Sequence, residues 1–314
     1  MPEPDVLEIT LPHLCMTALA WGPVDGTLAL LIHGFPDSAW SWREVGPLLA
    51  ARGYRVIAPF TRGYSPTEVP ADKNYTIGAL MYDVLALHRH FGGDENAVLV
   101  GHDWGSFTVS AIAGYPKSPF RTVVTMSAPA LKSTQYFRGH LREHARLAPR
   151  QLRHSWYILF FQTPFLPERV LHRLIPKFWK DWTPPIRDLR RDIDNSQAAL
   201  CTLERRAAAI NYYRSMVQVC KPAPLYAALN EYRFNLPIVP TLYLHGADDR
   251  ACEPGYAEIV LHRFPPGSKV QLIPDAGHFL QTDNPRAVAE AILEFLGANG
   301  YCGVRSGEPP SAKG

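Results

Sequence analysis

An aspartate stands at a turn suited to a nucleophile. Gly101-His102-Asp103-Trp104-Gly105 follows the apolar run Ala97–Val100 and precedes a helical stretch, so Asp103 takes the central slot of a glycine-flanked strand-to-helix turn. The glycines are a steric requirement, because such a turn crowds neighbouring backbones and strains its central residue. A carboxylate in that slot selects a chemistry. Carbonyl attack is served by a hydroxyl or thiol. An aspartate, already ionised near neutral pH, suits attack on an sp3 carbon that carries a leaving group, and the product is a covalent ester.

Two further segments complete the constellation. His33-Gly34-Phe35-Pro36 directly follows the apolar run Leu28–Ile32. A loop there brings the Phe35 N–H beside that of Trp104, and two such donors make an oxyanion hole. Late in the chain, Leu244-His245-Gly246-Ala247-Asp248-Asp249 ends one apolar run and Asp275-Ala276-Gly277-His278-Phe279 ends the next. The C-terminal ends of strands are where α/β sheets present their sites. The order nucleophile, acid, histidine reads Asp103, Asp249, His278, with Asp248 as the alternative acid. His33 and His102 are read as structural. In this scheme His278 activates a water that opens the Asp103 ester. A tyrosine, protonated at neutral pH, donates to the departing oxygen.

The elements that must hold these residues are short buried strands at Leu28–His33, Arg55–Pro59, Ala97–Gly101, Arg121–Ser127, Thr241–His245 and Lys269–Ile273. Helical patterns separate most of them. One follows Thr76 as N-cap, with Ile77, Leu80, Met81, Val84, Leu85 and Phe91 as its apolar stripe. Another follows Asn284-Pro285, with Val288, Ile292, Phe295 and Leu296 facing inward. The alternation predicts an α/β fold with a mostly parallel sheet covered on both faces. It stops at Ser127-Ala128-Pro129. The division expected is a first core part at 1–130, a helical insert at 131–236, a second core part at 237–300 and a disordered tail at 301–314.

Charge sets the insert apart. Residues 131–236 hold 18 Lys and Arg against 8 Asp and Glu, while the rest of the chain holds 14 against 21. Arg138, Arg142, Arg146, Arg150 and Arg153 recur near helical spacing, which reads first as a solvated face and second as a device for steering acidic substrates or meeting an anionic membrane. The net charge of +3 gives no reason to expect a nucleic-acid partner. Five cysteines without metal or redox spacing, an N-terminus without signal-peptide character and no long apolar run point to a cytoplasmic protein with no membrane span.

The motifs HGFP (33–36), GHDWG (101–105) and GHFLQ (277–281) carry a resemblance. Over residues 10–298 the chain resembles the α/β-hydrolase superfamily and, within it, the epoxide hydrolases. That resemblance implies a helical lid inserted between core strands, and its Gly-x-x-Asp turn selects Asp249 over Asp248. It implies two lid tyrosines above the nucleophile, matched by Tyr157 before Phe161-Gln162-Thr163-Pro164 and by Tyr213 in Asn211-Tyr212-Tyr213-Arg214. Tyr212 stands where the family has Trp, which leaves open which of the pair faces the cavity. Phe35, Trp104 and Trp156 are the implied substrate-binding residues. The implied reaction turns a small lipophilic epoxide into a vicinal diol with no metal or cofactor, and homodimerisation is left open. The chain departs from the family at Ser106, where a glycine is usual, and in the loop Phe60-Thr61-Arg62-Gly63-Tyr64-Ser65, where the family often has Asp-x-Arg-Gly-Tyr-Gly. Haloalkane dehalogenases and a catalytically silent receptor on the same fold are the competing readings. Phe35 and the tyrosine pair disfavour the first, and the complete nucleophile, acid and histidine set disfavours the second.

Overall fold

The computed structural model describes residues 3–129, 141–185, 187–218 and 220–301. Eight strands form one sheet: β1 (Asp5–Leu11), β2 (Leu14–Trp21), β3 (Thr27–Ile32), β4 (Tyr54–Pro59), β5 (Val98–His102), β6 (Val123–Met126), β7 (Thr241–Gly246) and β8 (Lys269–Ile273). Their spatial order is β1-β2-β4-β3-β5-β6-β7-β8. From β4 to β8 every neighbouring pair is parallel. The six strands read from the sequence are all present.

The hairpin of β1 and β2, which joins the edge antiparallel to β4, is not among the runs singled out in the sequence. Its outer strand buries only Ile9 and Leu11, so its apolar signal is thin. The opposite edge corrects an expectation. The apolar run of β8 predicts a buried strand, but of its five residues only Ile273 is buried. It closes the sheet, and among the described residues no strand pairs with its outer side. The interior differs. Every residue of β3, β5, β6 and β7 is buried. At about 1.5–3 kcal/mol per fully buried large aliphatic side chain, these four strands make the rigid centre of the molecule.

The register places the site. Ile32 pairs with Gly101, His102 with Met126, Met126 with Leu244 and Gly246 with Ile273. The four strand ends that precede Phe35, Asp103, Asp249 and His278 therefore lie along one rim of the sheet.

Both expected flanking helices form, at Ile77–His90 and Pro285–Ala298. Asn284 caps the second, accepting from the Ala287 N–H at 3.3 Å. The first is capped differently from the expectation. The Thr76 hydroxyl donates to Asn74 Oδ1. The Gly78 N–H instead donates to Asn230 Oδ1 at 3.0 Å, across 152 residues.

Between β6 and β7 the described residues hold the helices Leu141–His154, Trp156–Phe160, Leu166–Trp182, Arg190–Ala199, Leu203–Val217 and Pro224–Asn230. Apart from Leu141–His154, whose buried Leu147 packs with Tyr256 and Ile259, their apolar faces join the core cluster through Phe161, Leu171, Ile175, Phe178, Trp179, Ala209 and Ile210. Arg142, Arg146, Arg150 and Arg153 are exposed on the first of these helices. Arg138 and most of the tail lie outside the described residues. No helix among the described residues is long and apolar enough to cross a membrane.

Candidate active site

Asp103 closes β5 and opens the helix Trp104–Ala113. Its φ of 51° and ψ of −111° lie in a region that side-chain-bearing residues rarely adopt. Tight packing holds it there. A Cβ on Gly105 would stand 2.1 Å from the Ile32 carbonyl oxygen, and one on Gly34 would stand 2.5 Å from both Cβ and Oδ1 of Asp103. Only glycine lets the two loops approach this closely. Ser106, the departure from the family pattern, is buried and donates to the Ala128 carbonyl at 2.6 Å, so the extra hydroxyl is satisfied.

The Asp103 side chain is buried, and its two oxygens face different partners. Oδ1 accepts from the Phe35 N–H at 2.7 Å. Oδ2 lies 3.7 Å from His278 Nε2. Trp104 supplies the first residue of the following helix, where backbone N–H groups have no intrahelical acceptor.

His278 Nδ1 lies 3.0 Å from Asp249 Oδ2. The other Asp249 oxygen accepts from the N–H groups of Ala251 (2.7 Å) and Cys252 (2.9 Å). Burial works against ionisation of Asp249, but His278, His245 and those N–H groups together hold its pKa below the ordinary value. Asp248 is exposed. Burial alone would depress the His278 pKa. The charges of Asp249 and Asp103 overcome it and raise the value from 6.5 to about 10.

His33 and His102 take structural places. Burial lowers the first to about 4 and the second to about 3. His33 Nε2 accepts from the Thr61 N–H at 3.0 Å. His102 Nε2 bonds the carbonyl oxygen of His278 at 2.8 Å.

The insert covers the carboxylate with aromatic rings. Tyr213 stands edge-on to Trp104 at 5.0 Å and to Phe35 at 5.2 Å. Tyr157 stacks on Phe35 at 6.4 Å and meets Tyr213 at 5.6 Å. Phe161 and Phe178 close on the same Phe35 ring. Burial first, and the Asp103 charge with it, pushes both phenols well above the ordinary tyrosine value. The neighbouring Tyr212 is different. Its hydroxyl donates to the Arg62 carbonyl at 2.8 Å, so that group is committed to the core. Trp156 is 42% exposed, and its ring packs on Phe160 and Phe178.

Sequence reasoning missed two residues that touch the His278–Asp249 pair. Trp182 accepts the His278 N–H through its carbonyl at 2.9 Å and lays its ring 5.2 Å from the imidazole. His245 Nε2 lies 3.3 Å from Asp249 Oδ2. His245 ends an apolar run three residues before the acid pair, a signal that could have drawn notice. Trp182 lies nearly a hundred residues from His278 in an aromatic-rich stretch, and nothing in the sequence singles it out. Among the described residues no group of three or more His, Cys, Asp or Glu is placed to hold a metal ion.

Comparison with known proteins agrees with this fold. The α/β hydrolase fold family matches residues 29–285. Epoxide hydrolase 3 of Xenopus tropicalis is 30% identical over 285 residues, which cover 88% of this chain and 73% of the relative. This chain belongs to the α/β hydrolases and, among them, to the epoxide hydrolases. Epoxide hydrolase A of Mycobacterium tuberculosis is 28% identical, with 88% of this chain and 92% of the relative covered. A solved α/β-hydrolase structure from a study of epoxide hydrolases in metagenomes from hot environments superposes with a TM-score of 0.73 at 26% identity, over 94% of this chain and 99% of that one. A haloalkane dehalogenase from Bradyrhizobium elkanii reaches 0.72 at 22% identity. At that identity it shares the fold alone.

Proposed function

We propose that this chain is an epoxide hydrolase in which Asp103 forms a covalent ester with substrate. One observation carries the reading: a buried carboxylate, one oxygen held by the Phe35 N–H, lies beneath the aromatic cluster that contains two protonated phenols. With Oδ1 held, Oδ2 is the attacking oxygen. As it bonds the epoxide carbon, the ring C–O bond breaks and the ring oxygen takes a proton from Tyr157 or Tyr213. Water then attacks the ester carbonyl carbon of Asp103, with His278 taking a proton and Asp249 holding the imidazole. The negative oxygen of that intermediate is Oδ1, held by the N–H groups of Phe35 and Trp104. Of the two water hydrogens, one reaches the diol oxygen released from the ester. The other restores the proton of His278, which gives its own to the phenolate before the water attack.

The charge arrangement gives the histidine a reason to act in sequence. In the free enzyme two carboxylates keep His278 protonated at neutral pH. Esterification removes the charge of Asp103, His278 passes its proton to the phenolate that the first step leaves, and the imidazole becomes a base when a base is needed.

The helices between β6 and β7 act as the lid, and an aromatic-lined site suits a small lipophilic epoxide. Phe35 and Trp104 are the core residues against it, and Trp156 is assigned to the lid's outer rim. Cys15, Cys201 and Cys220 stand exposed as thiols, and we assign the enzyme to the reducing cytoplasm on that ground.

The test is a panel of aryl and alkyl epoxides beside a panel of haloalkanes, with diol and halide both quantified. Diol formation crippled by Asp103→Asn and by Tyr213→Phe is the expected result. Halide release without diol would move the chain to the dehalogenases.

A further inference from the structure

Two arginines and two carboxylates meet where the insert seats on the core. Asp192, on the insert helix Arg190–Ala199, is 3% exposed and accepts from Arg43 Nη1 at 2.6 Å. It also accepts from Arg187 Nη1. Arg187 Nε donates to Asp283 Oδ1 at 2.8 Å, and its Nη2 donates to Thr282 Oγ1 at 2.7 Å. The second oxygen of Asp283 accepts from the Gly277 N–H at 2.9 Å. Gly277 is the residue before His278.

The same loop is gripped by the insert elsewhere. The His278 N–H donates to the Trp182 carbonyl. The Trp179 ring stacks on Phe279 at 3.6 Å with 15° between planes, and the Arg187 guanidinium lies 5.8 Å from that ring. A Cβ on Gly277 would stand 2.2 Å from the Trp182 carbonyl oxygen, so the loop lies directly against the insert. From the core side, the His278 carbonyl accepts from Ser127 Oγ at 2.7 Å as well as bonding His102. The catalytic imidazole assigned above is thus held between two layers.

We propose that Arg187 is a positioning residue that ties the seating of the insert to the placement of His278. The inference rests on the assignment of His278 as the base for ester hydrolysis. One planar guanidinium spans an insert carboxylate and the carboxylate that fixes the Gly277-His278 backbone, a task for a rigid fork of donors more than for a point charge. Without it, Asp192 keeps Arg43, but Asp283 is left buried with a backbone N–H and no cation. The ensuing rearrangement falls on the loop that aims Nε2 at Asp103. A misplacement of about 1 Å in a reacting constellation costs on the order of 100-fold in rate. The two half-reactions feel this unequally, because Asp103 attacks the epoxide without a base and the water attack requires one.

The test is single-turnover kinetics on Arg187→Met and Arg187→Lys with an aryl epoxide. Intact-mass spectrometry follows the ester, and hydrogen exchange is measured on the peptide 274–283. In Arg187→Met we expect alkylation within about threefold of wild type, hydrolysis slower by about 10- to 100-fold, accumulation of the ester and faster exchange in 274–283. Arg187→Lys should fall between. If Arg187→Met does not fold, Asp192→Asn removes the insert end of the link and should show the same imbalance in weaker form. Hydrolysis within twofold of wild type, or both half-reactions slowed by one common factor, overturns the proposal. A wild-type protein that forms neither ester nor diol refutes the assigned function instead. The exchange measurement then decides the link by itself: faster exchange in the variant supports it and unchanged exchange overturns it.

Discussion

Replacing Asp103 by Asn tests the electrostatic logic of the site without any substrate. Asparagine keeps an oxygen for the Phe35 N–H, so the hydrogen bond now at 2.7 Å is retained. What it removes is a negative charge 3.7 Å from His278 Nε2. At an effective dielectric of about 20, two unit charges at that separation interact by about 4 kcal/mol. That corresponds to a factor of about 1,000 in the proton affinity of the imidazole. His278, held at about 10 in the wild type, should therefore drop toward its ordinary 6.5. The variant mimics the charge state of the esterified enzyme. The measurement is a histidine NMR titration of both proteins, with His278→Gln assigning the resonance.

The same shift appears in stability, and its sign follows from the direction. A histidine whose folded value is raised adds stability that is fully present below 6.5 and is lost as pH rises through about 10. Wild-type Tm should fall across that window, and the Asp103→Asn curve should be flatter. An imidazole that titrates at the same pH in both proteins would refute the argument, since the Asp103 charge would then not be what holds its proton.

Other outcomes follow from single contacts. Tyr213→Phe should slow alkylation by about 100-fold, the low end of what a general acid contributes, whereas Tyr212→Phe should leave alkylation near wild type and cost about 1 kcal/mol of stability by stripping the Arg62 carbonyl of its donor. Comparing the two in single-turnover kinetics and denaturant melts decides which tyrosine acts. Gly34→Ala would drive a methyl against Asp103 and the His102 carbonyl, and ester formation should fall at least 100-fold. The exposed Arg142, Arg146, Arg150 and Arg153 predict that kcat/KM for carboxylate-bearing epoxides falls with ionic strength more steeply than for neutral ones. Equal slopes would reduce that face to a solvated surface.

Much of the fold and of the site could be read along the chain, because each signal was local. A buried strand followed by a glycine-framed turn is recorded in adjacent letters, so the six parallel strands, the Asp103 turn, the His33–Pro36 loop and the strand-end positions of Asp249 and His278 were all legible. Position in the sheet was not. Whether a run such as Lys269–Ile273 is central or terminal depends on which strand pairs with it, and β1 carries too few buried residues to announce itself. Tyr212 and Tyr213 are adjacent letters of one type. Only the three-dimensional packing separates a hydroxyl bonded to the Arg62 carbonyl from one under the rings above Asp103. The Asn230 cap on Gly78, the Trp182 carbonyl on His278 and the Arg187 link to Asp283 join residues about 95 to 150 positions apart. No periodicity or short motif can encode such partners. They exist because folding brings an insert down on a rim of loops and each buried polar group there must find a partner. The candidate site was therefore written in local motifs, while the choice of which residues hold it in place was made by tertiary packing.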